Sequence, residues 1–376
     1  MLRQYRAFIT SRNIGILFFV LTLAATVHKY FLHSINNYYI FSRSFAVLTS
    51  HQNLYAEYPA LYADKFLYSP TFALTMGLFY LLPDFAGLIL WNLLNFTVFF
   101  FAVRAVAGEE KKFILIFGIL AIELINALQN NQSNPLVSAL ILMAFVNLEK
   151  RRISNAALLI AALFFIKIYG FAAVVLALLY SEKLKFAKRL CIWFALLLAL
   201  PLIVISTHEL GWQYQNWFAV ISGFKTGVQL SVMGVVERWS GQPIMYLPVQ
   251  IAGLLILLAP FIYPKNFSDA AFRRKLLCSL LIFLVIFNQS AESPTYITTV
   301  TGAAIWFADS RKSIADYILI ALVLIFTSLA STSLFPAAWR HNFFEQYGIK
   351  VIPCLLVWLK IQYELHFEQK TEGGRR

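Results

Sequence analysis

The stretch ISNAALLIAALFFIKIYGFAAVVLALLYSE, residues 153–182, decides how this chain folds. It is apolar almost throughout, yet longer than the ~20 residues that one helix needs to cross a bilayer core. Basic clusters flank it, Lys150, Arg151 and Arg152 before it and Lys183 to Arg189 after it. Positive charge marks the cytoplasmic side, so both ends belong inside and the stretch crosses an even number of times. Lys167 and Gly170 lie at its middle. The stretch therefore reads as two short half-helices joined near Lys167 to Gly170. Such a broken element needs a polar cavity to accept its loose backbone groups.

The rest of the chain agrees with a lipid-solvated bundle. It is 60% hydrophobic and 13% charged, and its 35 Phe and 18 Tyr exceed what a soluble core of this length buries. Long apolar runs at 13–26, 85–106 and 314–329 read as spanning helices, because lipid offers the backbone no hydrogen bonds. The first run lacks a small-residue cleavage pattern and reads as a span rather than a removable signal. The net charge of +13 is dispersed in short runs between apolar segments. That pattern indicates membrane topology and argues against nucleic acid. Cys191, Cys278 and Cys354 have neither metal spacing nor an obvious disulfide partner and read as packing residues.

Arg3, Arg6 and Arg12 place the N-terminus in the cytoplasm and residues 28–69 outside. Within that first loop, residues 38–49 form an amphipathic segment around Arg43, suited to lying in the membrane interface. Later basic clusters at 265–275 and at Arg311 and Lys312 mark further cytoplasmic turns. The charges then require one of the segments between 70 and 148 not to cross. The shortest, 71–82, is closed by Pro83 and reads as re-entrant. Residues 207–246 become a second large outer loop, and the whole of 1–376 reads as a single integral membrane domain.

Several polar side chains are candidates for chemistry. Glu57 and Asp64 are carboxylates in the aromatic first loop, close to Lys65 and Tyr68. Either suits a general base, or a solvated loop charge. Glu123, inside an apolar run, shares a helix face with Asn126 and Asn130, and an intramembrane carboxylate needs a cavity or a partner such as Lys167 or a nearby amide. The amide-rich QNNQSN, residues 129–134, offers Gln129, Asn131 and Asn134. Lys167 would meet an anion, a lipid phosphate or a carboxylate, unless it snorkels. Tyr169 is its neighbour. In HELGWQYQNW, residues 208–217, His208 and the tryptophans could contact sugars or anchor the interface. Glu292 sits in the polar turn NQSAESP. No nucleotide-binding signature and no clustered metal ligands occur.

In their order, LYAEYP, YSPTFAL, LLPDFAGLILWNLLN, QNNQSNPLVSALILMAF, RRISNAALLIAALFFIKIYGF and the late NQSAESPTYI resemble glycosyltransferase family 87. This set of GT-C membrane enzymes includes polyprenyl-phosphate-mannose-dependent mannosyltransferases. The resemblance implies an all-α polytopic bundle of GT-C type with about 10–13 transmembrane helices. It implies inverting transfer of a hexose, mannose in such relatives, from a polyprenyl-phosphate sugar to a lipid or glycan acceptor. The site would lie outside the cytoplasm in a bacterial inner membrane, with membrane lipids around it and no cofactor. The family's catalytic aspartate, expected soon after the first span, aligns with Asn36 and Asn37, and an amide cannot act as a base. Either Asp64, with Glu57 second, has taken the role, or the chain is an inactive homologue. Lys167 would contact the donor phosphate, and Asn36, Asn37, Arg43 and Lys65 would line the site. The rival classes are a lipid or polysaccharide transporter and a surface-glycan ligase. Transporters commonly carry paired repeats, and none is visible.

Overall fold

The computed structural model describes residues 10–223 and 230–368. Arg3 and Arg6 and part of the 207–246 loop lie outside these residues. Among the described residues every regular element is a helix. The chain divides into two compact units. The first comprises Met1–Val106, Ile125–Ala177 and Glu182–Phe224, and the second Ala107–Leu124, Leu178–Ser181 and Lys225–Arg376.

Among the described residues five helical stretches are long and apolar enough to cross a membrane: Ser11–Phe31, Asp84–Ala107, Glu110–Gln129, Lys183–Ile203 and Ile314–Ser331. Shorter apolar helices occupy Asn134–Glu149, Ile153–Ile166, Ile168–Leu179 and Tyr246–Ile262. The chain is a multi-pass helical membrane protein. Helix α1 (Ser11–Phe31) buries only Phe18, Thr22 and Thr26, a narrow stripe that leaves most of its apolar surface for lipid. Thr22 and Thr26 donate their hydroxyls to the carbonyls of Phe18 and Thr22 one turn back, so neither hydroxyl is left bare.

In the first unit, α2 (Asn36–Thr49) turns Tyr38, Phe41, Val47 and Leu48 into the protein core, so much of the apolar face expected at the membrane interface packs on protein instead. The segment expected to be re-entrant forms two short helices, α3 (Pro70–Thr75) and α4 (Gly77–Tyr80). At ~1.5 Å rise per residue, neither can span the bilayer. Ser69 starts α3, its Oγ accepting the N–H of Phe72 at 3.1 Å, and Pro70 fits the first helical position. The same hydroxyl donates to the carbonyl of Phe165 at 2.6 Å. That carbonyl belongs to the last turn of a helix, where no intrahelical donor remains.

Thr71 performs a similar repair. Pro201 lacks an N–H, so the carbonyl of Leu197 four residues earlier has no i+4 donor and takes the N–H of Leu200 instead. Thr71 donates its hydroxyl to that oxygen at 2.7 Å and lies 2.8 Å from the Tyr214 hydroxyl.

The remaining helices of this unit are α5 (Asp84–Ala107), the C-terminal end of α6 (Glu110–Gln129), α7 (Asn134–Glu149), α8 (Ile153–Ile166), α9 (Lys183–Ala199) and α10 (Thr207–Gly223). The α-helical path of 153–182 ends at Ile166. Lys167 is extended, with φ −144° and ψ 110°, and a 3-10 segment follows over Ile168–Leu179. The two half-helices expected there are present, and Lys167 is the joint. Gly170 lets the second half close against the first, since a Cβ there would lie 3.0 Å from Leu163 Cδ2.

The second unit contains α11 (Val232–Ser240), α12 (Tyr246–Leu258), α13 (Ala270–Ile286), α14 (Tyr296–Asp309), α15 (Ile314–Leu322) and α16 (Val351–Tyr363). Helix α14 is buried from Tyr296 to Phe307, the pattern of a helix enclosed on all sides. At Gly302 it approaches α13 so closely that a Cβ would fall 2.7 Å from the carbonyl of Cys278.

Candidate active site

The polar centre of the first unit starts at the joint in 153–182. An extended residue at a helix end projects its side chain away from the helical stack, and Lys167 Nζ meets Asn134 Oδ1 at 2.7 Å. The hydroxyl of Tyr169 donates to the same oxygen at 3.5 Å. The ammonium also lies 5.9 Å from the ring centre of Tyr68 and 6.0 Å from that of Tyr169. Asn134 opens α7 immediately before Pro135, so Lys167 is held at a helix N-terminus, where anions are favoured.

The amide-rich turn before Asn134 is shaped by Asn131, whose φ of +53° is a left-handed conformation that Asn tolerates better than most residues. Helix α5 holds that turn from behind. Trp91 Nε1 donates to the carbonyl of Asn131 at 2.9 Å, and Asn92 Nδ2 to its Oδ1 at 3.0 Å. Two neighbouring buried atoms, Gln132 Oε1 and Ser133 Oγ, have no protein hydrogen-bond partner, and nor does Asn92 Oδ1. Buried polar atoms carry a desolvation cost that a polar ligand or water offsets. Such a group beside a lysine marks a place for an anion or a polyol.

Asn36 and Asn37, consecutive at the start of α2, connect this turn to the first loop. Asn36 grips Ala63 with both ends of its amide. Its Nδ2 donates to the Ala63 carbonyl at 2.7 Å, and its Oδ1 accepts the Ala63 N–H at 2.8 Å. Asn37 Nδ2 donates to the carbonyl of Asn130 at 2.9 Å. With its amide committed to backbone, Asn36 is a brace rather than the sugar ligand that the sequence offered. Asp64, the next residue after the gripped one, has φ +80°, and its Oδ1 accepts the N–H of Lys65 at 2.8 Å. Both acids are exposed, and Glu57 is in an ion pair with Lys65 at 3.2 Å, its side chain 69% exposed. Of the two acids, Asp64 is the one adjacent to a fixed backbone.

The other candidate residues have different surroundings. Arg43 is in an ion pair with Asp84 at 2.6 Å and lies over the rings of Tyr39 and Tyr80. Gln129 ends α6, partly buried. His208 is exposed near the start of α10. The tryptophans of that helix differ: Trp212 is exposed, whereas Trp217 is enclosed and donates to the carbonyl of Leu67 at 3.0 Å. Gln213 brackets the same loop, donating to Gln52 O at 2.7 Å and accepting from Leu54 N–H at 3.2 Å. So α10 is largely a scaffold for the first loop, and Trp217 is not available to stack on a sugar.

Two other candidates, Glu123 and Glu292, lie in the second unit. The cation facing Glu123 is Lys350, at 2.8 Å, which also donates to Ser293 at 2.9 Å and Ser331 at 3.1 Å. The expectation of Lys167 or a nearby amide as the partner is corrected to Lys350, a residue that folding brings in from near the C-terminus. Glu292 begins a 3-10 turn, its N–H donating to Thr295 Oγ1 at 3.3 Å.

Sequence reading also missed Tyr62. Its hydroxyl is buried next to Ala63 without a partner. Burial, followed by the nearby Tyr58, pushes its pKa up to about 12.

Fold and site together define a multi-pass helical membrane protein with a lysine held in a cradle of amides and tyrosines. The chain belongs to glycosyltransferase family 87, whose family model matches residues 66–287. It is thus a membrane glycosyltransferase. The match takes in Tyr68, the 129–134 turn, Lys167, Tyr169 and His208, and begins beyond Asn36, Asn37, Arg43, Glu57, Asp64 and Lys65. No curated protein matches the chain.

Proposed function

We propose that this glycosyltransferase takes a hexose, mannose by family resemblance, from a polyprenyl-phosphate donor and passes it to a lipid or glycan acceptor outside the cytoplasm. Asp64 accepts the proton of an acceptor hydroxyl as its oxygen attacks the anomeric carbon. The bond from that carbon to the phosphate oxygen breaks on the opposite face, inverting the configuration, and the polyprenyl phosphate leaves with the electron pair. Lys167 neutralises the developing charge, and Ser133 and Tyr169 are the hydroxyl donors beside it. On this reading the chain resides in the cell membrane with its N-terminus in the cytoplasm.

The observation that carries the proposal is the bridge made by two adjacent side chains. Asn36 holds the backbone that presents Asp64, and Asn37 holds the turn that leads to Asn134, the partner of Lys167. An acid for the acceptor and a cation for the leaving group are thereby tied to one helix start, the division of labour that phosphate departure requires.

The test is an assay of purified protein in lipid vesicles with polyprenyl-phosphate mannose and a chain-matched acceptor glycolipid. Lys167→Met is expected to lower kcat by about 10²–10³-fold, the range seen when a preorganised charge stabiliser is lost. Wild-type turnover in that variant would remove Lys167 from the reaction. Absence of transfer by the wild type itself would favour an inactive homologue or another donor.

A further inference from the structure

Helix α10 has a side that holding the first loop does not occupy. Gln213, Tyr214 and Trp217 form its buried side. Glu209, Trp212 and Asn216 follow one another at i, i+3 and i+7, so they stand in a row along one ridge of the helix. His51 of the first loop meets the N-terminal end of that ridge, its Nδ1 2.8 Å from Glu209 Oε2.

Each member of the row has hydrogen-bonding or stacking capacity to spare. Glu209 Oε1 has no protein hydrogen-bond partner. Asn216 gives its Nδ2 to the carbonyl of Trp212 at 2.8 Å, which leaves Oδ1 as an open acceptor among the described residues. His51 is largely exposed, and of its two ring nitrogens only Nδ1 is engaged among the described residues. The indole of Trp212 is exposed.

An exposed indole on an outer helix suits either membrane anchoring or contact with a sugar. The neighbours of Trp212 decide between them. A ridge turned to hydrocarbon has no use for a carboxylate, whose desolvation would be costly. A hexose offers a C–H face, which settles on the electron-rich face of an indole, and a rim of hydroxyls that donate to carboxylate and amide oxygens. Seven residues of helix rise about 10 Å, room for an oligosaccharide rather than a single ring. The first loop, which carries Asp64, is fastened to the same helix through Gln213 and Trp217, so ridge and proposed base share one framework.

We propose that this ridge binds a hexose oligosaccharide, with Trp212 as the stacking platform and Glu209, Asn216 and His51 as partners of its hydroxyls. The inference rests on the transfer reading, and it makes the acceptor a glycan rather than a bare lipid alcohol.

The full chain, purified in detergent, is titrated with soluble mannotriose by isothermal calorimetry, and acceptor kinetics are measured beside it. Wild type is expected to bind mannotriose saturably. Trp212→Leu keeps an apolar side chain for the membrane but loses the platform, and Glu209→Gln loses the charge-assisted bonds. Each is expected to weaken mannotriose binding about tenfold and to raise the KM for a glycan acceptor, with the donor KM unchanged. Trp212→Phe, which keeps an aromatic face, retains most of the binding, and Lys167→Met binds mannotriose as wild type does. A wild type that does not bind mannotriose, or a folded Trp212→Leu that binds it undiminished, overturns the site and leaves Trp212 as a membrane anchor. Binding that depends on Trp212 in a protein that transfers no sugar keeps the site and removes the transfer reading instead.

Discussion

Asp64→Asn is expected to reduce transfer by about 10²–10⁴-fold, the contribution of a positioned general base, with donor binding intact. The variant is nearly isosteric and its Oδ1 still accepts the Lys65 N–H, so the turn at φ +80° persists and only proton acceptance is lost. Glu57→Gln is the internal control. Its carboxylate is in a largely exposed pair with Lys65, and exposed pairs contribute little. A loss confined to Asp64→Asn supports the assignment. A loss confined to Glu57→Gln reverses the roles of the two acids, and full activity in both leaves neither as the base. Steady-state kinetics with saturating donor separate these results.

The largest effect on stability is expected at Lys350. All three of its N–H donors are used, on Glu123, Ser293 and Ser331, and both charged side chains are nearly inaccessible. Lys350→Met takes the cation from a buried Glu123 carboxylate, and breaking a buried pair from one side costs about 3–5 kcal/mol. The double change Glu123→Gln with Lys350→Met removes both charges and is expected to recover most of that loss. Thermal unfolding of the three proteins in detergent gives the comparison. A double variant no more stable than Lys350→Met would mean that the pair's charges are not what the bundle depends on.

The break at Lys167 was legible because a lysine inside a long apolar stretch with basic flanks has few structural explanations. The same logic located the short, Pro-closed segment now seen as α3 and α4. Glu123 was equally conspicuous, but its partner was not. Lys350 is 227 positions away and stands at the head of an ordinary apolar run, so nothing local distinguishes it from an interfacial lysine. HELGWQYQNW misled in a different way. Its mixture of indoles and amides reads as surface, whereas Trp217 and Gln213 are buried because loop carbonyls at Leu67 and Gln52 satisfy them. Gln132 and Ser133 were visible only as members of an amide-rich run. Which of them faces inward depends on the left-handed turn at Asn131, a tertiary outcome fixed by Trp91 and Asn92.

The adjacency of Asn36 and Asn37 also acts as a gauge. Neighbouring Cα atoms are about 3.8 Å apart whatever surrounds them, so the spacing between the Ala63 loop and the Asn130 turn is measured by a single peptide unit. Loops elsewhere in the chain can lengthen without altering that interval, whereas one residue inserted between the two asparagines would reset it. That interval is then a property of the backbone, inherited unchanged when the side chains around it are exchanged.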